Sequence, residues 1–152
     1  RIVQVHSRDN GHTPMQWNDS AYAGFTSADS EEPWIGVNSN YTKINAASQL
    51  EDPDSIFHYY QKLIALRKEV DVIAFGDIEP LAESHPSVFA YRRTYEGHEL
   101  IVAANFYGRE CCWKDAPDLS GFEKLTGNYH EETAPENGEW TLKPYEAQVW
   151  YK

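Results

Sequence analysis

The stretch from Ser7 to Trp17 gathers residue types whose chemistry suits the recognition of a sugar. It reads Ser-Arg-Asp-Asn-Gly-His-Thr-Pro-Met-Gln-Trp, so a cation, polar side chains, an imidazole and a large aromatic ring share one short segment. Arginine, aspartate and asparagine can hydrogen-bond ring hydroxyls at defined angles, and an indole offers an apolar face on which a pyranose stacks. We call residues 7–17 the opening motif and expect part of it to contact a carbohydrate.

The same motif has a structural interpretation, which the residues alone leave open. We expect positions 13–17, which contain a proline, to act as a packing plug with the ring of Trp17 buried. Asp9 can either orient Arg8 or cap a turn. The candidate sugar contact then comes from Arg8 or from His12.

Composition limits the partners that the chain can take. The 152 residues carry a net charge of −11, and the 13 lysines and arginines are scattered. Nucleic-acid binding needs clustered cations, so we exclude nucleic acid as a partner. No apolar run approaches the roughly 20 residues of a membrane span, and the first residues lack the pattern of a signal peptide. We expect a cytoplasmic protein without a membrane partner, and a start at Arg1 rather than Met fits a fragment.

The cysteines and histidines are not spaced as a metal or cofactor site. Cys111 and Cys112 are adjacent, so a disulfide between them would be strained, and reduced thiols are the simplest interpretation. The six histidines are isolated in sequence, and the acidic pairs at 31–32 and 131–132 are interpreted as solvated loops. We expect no metal and no cofactor.

A loop-rich part and two helices must position the opening motif. Residues 1 to about 50 are punctuated by glycine, proline and asparagine, which is typical of a chain laid over an existing surface. A short helix is predicted over 46–51 with Asn45 as its cap, and a longer one from about 53 to 69 with Asp52 as its cap. The longer helix has an amphipathic stripe made of Ile56, Tyr60, Leu63, Ile64 and Arg67, widened by Phe57 and Leu66.

From residue 71 onward the periodicity changes to two, which is typical of strands. Two strands flank Glu96-Gly97-His98 as a hairpin, and Lys143-Pro144-Tyr145-Glu146 is predicted to be a turn. Short strands separated by turn signals indicate an antiparallel sandwich. The predicted strands are 75–81, 88–95, 99–106, 110–113, 122–126, 140–142 and 147–151.

The opening motif closely resembles the Ser-Arg-Asp-Asn-Ala-Arg-Thr-Pro-Met-Gln-Trp signature of α-glucosidases of the α-amylase superfamily. Oligo-1,6-glucosidases, dextran glucosidases and trehalose-6-phosphate hydrolases form this branch. The resemblance covers essentially the whole chain. It continues in the segments 23–26, 33–35, 40–41, 44–45, 54–68, 89–91, 102–106 and 142–147.

The resemblance implies that most of such an enzyme lies outside this sequence, because the signature lies late in the family's chains. A (β/α)8 barrel needs roughly 250 residues. Residues 1–70 would be the C-terminal end of the catalytic barrel, and residues 71–152 a C-terminal antiparallel β-domain. The expected fold is therefore mainly β: a β-sandwich preceded by a loop-rich segment and one long helix left over from the barrel.

The resemblance also implies an activity for the parent protein. It would be an intracellular retaining α-glucosidase that hydrolyses short α-glucosides, and isomaltose-type and trehalose 6-phosphate substrates both fit. The family's catalytic acids lie upstream of the signature, in segments that include an Asn-His-Asp tripeptide absent here, so no catalytic residue is assigned. Arg8 matches the first arginine of the signature, whereas His12 replaces the second, and either position is open as the substrate-binding contact. The isolated chain is expected to be inactive.

Two other roles compete with this one. A non-catalytic carbohydrate-binding β-domain would use exposed rings at Trp34, Trp113, Trp140 or Tyr145. A purely structural β-domain would stabilise the missing barrel portion of the same protein. The stripe of the long helix would then be partly exposed or would pack on the sandwich, and an exposed apolar face would favour self-association.

Overall fold

The computed structural model describes residues 11–131 and 133–152, and the chain divides into two units, residues 1–65 and 66–152. The described part of the first unit consists mainly of loops. Ser39–Thr42 forms a 3₁₀ turn, and Ala21–Gly24 forms a tight turn with left-handed backbone. Among the described residues, no helix is both long and apolar enough to cross a membrane.

Helix α1 spans Ala46–Glu51, as the sequence predicts. Its predicted cap is also confirmed, because the Asn45 side chain accepts a 2.9 Å hydrogen bond from the Ser48 N–H. The Asn45 amide in turn donates to the Tyr41 carbonyl at 2.8 Å. Local sequence signals therefore suffice to define this helix.

The described residues of the first unit form almost no apolar core. Its described residues include four buried ones, Pro14, Ala23, Asn45 and Ser55, and none of them is a large hydrophobic residue. Burial of apolar surface is the main favourable term in folding. Residues 11–65 therefore contribute little of the internal packing that holds an independent domain together.

Helix α2 spans Ile56–Glu69 and begins later than predicted. Ser55, not Asp52, takes the capping position, since the buried Ser55 hydroxyl accepts a 3.3 Å hydrogen bond from the His58 N–H. The Asp52 carboxylate instead accepts a hydrogen bond within the turn that contains Pro53. The helix was predicted to begin at about residue 53 but begins at Ile56, so the predicted start was wrong by about three residues.

The apolar side chains of the α2 stripe are largely exposed, which is one of the two outcomes expected for this stripe. Ile56 and Tyr60 are 82% and 65% exposed, and Phe57 and Ile64 are each 44% exposed. No residue of α2 is buried. Together with Gln61, these four side chains line a shallow apolar groove, which we call the α2 groove.

Helix α3, Asp71–Phe75, lies in the second unit, where the sequence predicted a strand from residue 75 onward. The Arg93 guanidinium holds the end of this helix by donating to the carbonyls of Ile73, at 2.9 Å, and Gly76. Gly76 has no room for a side chain, because a Cβ atom there would lie 2.6 Å from the Val72 carbonyl oxygen. Contacts with a distant strand therefore stabilise α3.

Seven strands follow, and each lies within two residues of its predicted bounds. They are β1 (Asp77–Pro80), β2 (Val88–Tyr95), β3 (His98–Asn105), β4 (Cys111–Lys114), β5 (Glu123–Gly127), β6 (Glu139–Leu142) and β7 (Ala147–Tyr151). One sheet has the order β1-β2-β3-β7-β5, and β4 pairs with β6 in a second sheet. All of these pairings are antiparallel, so the fold is mainly antiparallel β with few helices.

The β2–β3 hairpin has a two-residue turn, one residue shorter than predicted. Glu96 and Gly97 have φ values of 48° and 86°, as a type I′ turn requires. His98 already pairs with Tyr95 in the ladder. The left-handed backbone explains the glycine at position 97.

Both sheets contribute to one buried cluster, which fills the second unit. Trp113 and Trp140 face each other in the β4–β6 ladder, and their ring centroids lie 6.1 Å apart. The cluster consists of Val88, Ala90, Ile101, Ala103 and Trp150 from the five-stranded sheet, Trp113, Trp140 and Leu142 from the other, and Ala116 and Leu119 from a loop.

A buried carboxylate anchors the turn between β6 and β7. Glu146 is fully buried, and its carboxylate accepts hydrogen bonds from the Lys143 N–H at 2.7 Å and the Gln148 amide at 2.8 Å. The side-chain carbonyl oxygen of Gln148, Oε1, accepts a 2.9 Å hydrogen bond from the Trp150 indole N–H. Buried polar groups are costly unless they are paired, so this network holds the predicted turn in place.

Candidate functional site

The two predicted sugar-binding residues lie on either side of the point where the described residues begin. Arg8 lies outside them, whereas His12 is described and exposed. Pro14, two residues further on, is buried. The contact of Arg8 or His12 with a sugar stays a prediction.

The end of the opening motif is fastened to helix α1 through its backbone. The carbonyls of Gln16 and Trp17 each accept a 2.9 Å hydrogen bond, from the N–H groups of Ala46 and Ala47 respectively. The N–H groups of the first helical turn have no acceptor within their own helix. The motif supplies these acceptors, so its position is tied to that of α1.

The Gln16 side chain forms a second clasp. Its Nε2 donates to the Asn40 Oδ1 at 2.9 Å and to the Ile44 carbonyl at 2.5 Å, which uses both of its N–H donors. This positioning role is not evident from the sequence. Its partners lie 24 and 28 residues away, and local sequence contains no signal that would pair them.

A left-handed loop follows the motif. Tyr22, Ala23 and Gly24 have φ values of 52°, 58° and 66°, and the Ala23 carbonyl accepts hydrogen bonds from both Trp17 and Asn18. Non-glycine residues in this conformation cost roughly 1–2 kcal/mol each. Such strain persists only where the surroundings define it, often near functional sites.

The exposure of Trp17 corrects the packing-plug prediction. The Trp17 side chain is 53% exposed and that of Met15 is 50% exposed, although the sequence predicted Trp17 to be buried. The backbone of Trp17 is held by the hydrogen bonds described above, but half of its side chain is not covered by the part of the first unit that the structure describes. An exposed indole on a fixed backbone can stack on a sugar or pack against another protein surface.

The rings suggested for a carbohydrate-binding β-domain are not displayed together. Trp113 and Trp140 are 5% and 0% exposed and belong to the core, so their assignment as a binding platform was wrong. Trp34 and Tyr145 are exposed, but they belong to different units. Tyr145 is therefore the one of these four rings that the β-domain exposes.

The remaining charged and thiol groups offer neither a metal site nor a paired catalytic arrangement among the described residues. Within the described ranges, no group of three His, Cys, Asp or Glu side chains could hold a metal ion. A hydrogen bond from Lys143 lowers the pKa of Glu131, and the same bond raises the pKa of Lys143. Burial raises the pKa of the unpaired Cys111 thiol.

Comparison with known proteins defines the class to which this loop and β-domain belong. Residues 1–76, half of the chain, match the family model described as the alpha amylase catalytic domain. The chain therefore belongs to the alpha-amylase family. This match includes the opening motif and ends just after helix α3.

The chain is similar to particular members of that family along nearly its full length. It is 46% identical over 151 residues to an oligo-1,6-glucosidase of Bacillus cereus and 40% identical over 149 residues to the trehalose-6-phosphate hydrolase of Escherichia coli K12. These alignments cover 97% and 98% of this chain but 26% of each relative. The crystal structure of Bacillus licheniformis trehalose-6-phosphate hydrolase matches 99% of this chain and 27% of its own, with a TM-score of 0.86 and 40% identity. The chain thus spans about a quarter of these relatives' length.

Proposed function

We propose that this chain is the C-terminal part of a retaining α-glucosidase of the oligo-1,6-glucosidase or trehalose-6-phosphate hydrolase type. The observation that carries the proposal is the 46% identity to the Bacillus cereus oligo-1,6-glucosidase across 97% of this chain. The opening motif supports it independently, because its polar residues and fixed, exposed Trp17 suit one wall of a sugar pocket. The substrates of the intact enzyme would be short α-glucosides.

In this proposal the chain has two parts with different roles. Residues 1–70 are the end of the catalytic barrel, which agrees with a catalytic-domain match that runs to residue 76. Residues 71–152 are a C-terminal β-sandwich, whose two layers are the two sheets that share one core cluster. The scarcity of buried apolar residues among positions 11–65 supports this division, because such a segment needs the rest of a barrel to pack against.

The chemistry of the intact enzyme is assigned to residues outside this sequence. A retaining glycosidase needs two carboxyl groups about 5 Å apart across the scissile bond. The Asn-His-Asp tripeptide that accompanies them in the family does not occur here, so the isolated chain is proposed to be inactive and structural. Arg8 or His12 would orient the sugar. The unpaired cysteines support a cytoplasmic location.

Hydrolysis assays on the purified chain test its inactivity. Isomaltose, trehalose 6-phosphate and p-nitrophenyl α-glucoside are the substrates, and we expect product formation at the rate of buffer alone. Turnover that grows in proportion to the concentration of this chain would contradict the assignment.

A chimera tests the assignment to an α-glucosidase. In it, this chain replaces the matching 26% of the Bacillus cereus oligo-1,6-glucosidase. We expect the chimera to hydrolyse p-nitrophenyl α-glucoside, whereas the same relative without any replacement for that segment does not. A folded chimera with no activity on any of the three substrates would overturn the proposal.

A further inference from the structure

A two-residue turn leads into strand β6. The backbone N–H groups of Glu136 and Glu139 each donate to the other residue's carbonyl at 2.9 Å. Asn137 and Gly138 lie between them with φ values of 52° and 79°. Positive φ at both central residues defines a type I′ turn, in which Asn-Gly is a preferred pair. We call residues 136–139 the Asn-Gly turn.

The Asn-Gly turn presents its central peptide bond to solvent. All four of its residues are exposed. A Cβ atom built at Gly138 would meet no atom within 4 Å, so the protein leaves this backbone uncrowded. Within the described ranges, neither the Asn137 side-chain amide nor the Gly138 N–H takes part in a hydrogen bond. The two groups are therefore available to react with each other.

An asparagine followed by glycine is open to an intramolecular reaction that other sequences hinder, because glycine has no side chain beside the attacking nitrogen. The backbone nitrogen of Gly138 attacks the Asn137 Cγ, and the new C–N bond closes a five-membered succinimide. The Cγ–Nδ2 bond breaks, and ammonia leaves with the proton from the Gly138 N–H. Water then opens the ring at one of its two carbonyls, which yields aspartate or isoaspartate. In isoaspartate the main chain runs through the side-chain methylene.

We propose that Asn137 is a site of spontaneous conversion to isoaspartate, and that this conversion opens the Asn-Gly turn. The inference is independent of the proposed function. Isoaspartate lengthens the main chain by one carbon atom, whereas the length and type of a hairpin turn fix the register of its strands. The paired hydrogen bonds between Glu136 and Glu139 do not survive that insertion. The new carboxylate also lies between these two glutamates, and repulsion between like charges disfavours a closed turn.

Opening of the Asn-Gly turn affects the core of the second unit. The Gly138 carbonyl accepts a 2.8 Å hydrogen bond from the Ala116 N–H. Ala116 and Trp140, the second residue of β6, both belong to the buried cluster. Loss of the turn should therefore loosen the β4–β6 ladder, in which Trp140 faces Trp113. We expect the modification to lower the stability of the β-domain.

The rate of the reaction tests whether the site is available in the folded protein. The purified chain is incubated at mildly alkaline pH, both folded and in guanidinium chloride, and isoaspartate at position 137 is quantified by peptide mass spectrometry. Exposed loop tips open at little cost in free energy, so the folded chain should react within about tenfold of the unfolded rate. A folded chain that is protected more strongly, or that forms aspartate without isoaspartate, would overturn the proposal.

Thermal unfolding of the isoaspartate form, separated by its added negative charge, tests the effect on the turn. Its midpoint should lie about 4 °C or more below that of the fresh chain. Asn137→Asp is the matched control, because it adds the same charge without lengthening the backbone and Asp-Gly also suits a type I′ turn. This variant should lower the midpoint by less than about 2 °C. Equal midpoints for the isoaspartate form and the Asn137→Asp variant would contradict the opening of the turn.

A second Asn-Gly pair, at residues 10–11, requires its own control. Ageing of the Asn10→Gln variant should lower the midpoint as much as ageing of the parent chain does. Ageing of the Asn137→Gln variant should leave its midpoint unchanged, because a glutamine side chain does not close the five-membered ring. A loss in aged Asn137→Gln equal to that of the parent would place the damage elsewhere and overturn the proposal.

Discussion

Position 12 is where the opening motif departs from the signature that it resembles. A neutral imidazole offers one N–H donor, whereas a guanidinium offers five and a permanent charge. If position 12 meets the sugar, His12→Arg in the chimera should lower the KM for p-nitrophenyl α-glucoside about tenfold, which is the worth of one charged hydrogen bond.

Arg8→Lys in the same chimera distinguishes the alternative. If Arg8 makes the contact, this variant should raise KM about tenfold, while His12→Arg leaves it unchanged. Arg109→Lys, a change of the same type at an exposed position of the second unit, is the control and should not alter KM. No change in KM from any variant at positions 8 and 12 would contradict a sugar contact by the opening motif.

Gly24 is required by both its backbone and its surroundings. Its φ is 66°, and a Cβ atom would lie 2.6 Å from the Asn18 side-chain amide. Gly24→Ala should therefore open the loop that the Ala23 carbonyl closes, at a cost of about 1–2 kcal/mol. Hydrogen exchange at the Trp17 and Asn18 amides should become about 5–30 times faster.

Gly36→Ala is the control for this substitution. A Cβ atom at Gly36 would meet no atom within 4 Å, and its backbone is not left-handed. Exchange at the Trp17 and Asn18 amides should then be unchanged. Similar exchange in both variants would mean that the left-handed loop does not hold the motif.

We expect the adjacent cysteines to differ in reactivity. Burial raises the pKa of Cys111, and the neighbouring Cys112 and Glu110 act in the same direction, whereas Cys112 itself is exposed. The thiolate is the reactive form. Iodoacetamide at about pH 8 should therefore modify Cys112 at least about threefold faster than Cys111, as peptide mass spectrometry would record.

The difference in modification rate between Cys112 and Cys111 should narrow as the pH rises. A raised pKa leaves Cys111 more protonated at pH 8, so its thiolate fraction has more to gain in stronger base. Cys112→Ser isolates the rate at Cys111 from its neighbour. Faster modification of Cys111 than of Cys112 in the parent chain would contradict the burial seen here.

Arg93 stabilises the helical conformation of residues 71–75. Its fork donates to two carbonyls at the end of α3, which a lysine cannot match. Arg93→Lys should lower the free energy of unfolding of the β-domain by about 1.5–3 kcal/mol, measured in urea.

Arg92→Lys provides the matched control one residue away. Arg92 makes partly exposed ion pairs with Glu79, at 3.2 Å, and Glu99, at 3.8 Å, and a lysine can keep such contacts. We expect a loss of less than about 1 kcal/mol there. Equal losses at positions 92 and 93 would show that the helix cap is not what Arg93 contributes.

Elements defined by local signals were predictable from the sequence, and those defined by distant partners were not. Asn45 and the apolar alternation of β2 act on their immediate neighbours, so α1 and β2 have their predicted bounds. Helix α3 depends on Arg93, some 20 residues away, and its residues were predicted in part as strand. The start of α2 moved because Ser55, rather than Asp52, has its hydroxyl in capping geometry.

The same distinction between local signals and distant partners applies to the candidate site. The residue types of the opening motif pointed to sugar chemistry, but the clasp of Gln16 on Asn40 is a tertiary contact that no local pattern encodes. The burial expected for Trp17 presupposed a surface to receive it. Exposure depends on everything that packs around a ring, so it was the least predictable property of the motif.

Two opposing forces act on the association of copies of this chain with one another. The net charge of −11 makes copies of the chain repel one another. The apolar stripe of α2 favours contact, with Ile56 at 82% exposure and Tyr60 at 65%. The Debye length is about 8 Å at physiological ionic strength, so salt weakens the repulsion and leaves the apolar attraction in place.

We therefore expect the isolated chain to self-associate through the α2 groove, more so at high than at low salt. Static light scattering should show an apparent mass that rises with concentration, and Ile56→Lys combined with Tyr60→Lys should abolish the rise.

These lysines add two positive charges, so Glu51→Gln with Glu69→Gln, which changes the net charge equally at exposed positions, is the control. The control should associate at least as strongly as the parent, because it only reduces repulsion. A parent chain that stays monomeric at high concentration and high salt would contradict this prediction. Loss of association in the control pair would show instead that charge, rather than the apolar stripe, governs the contact.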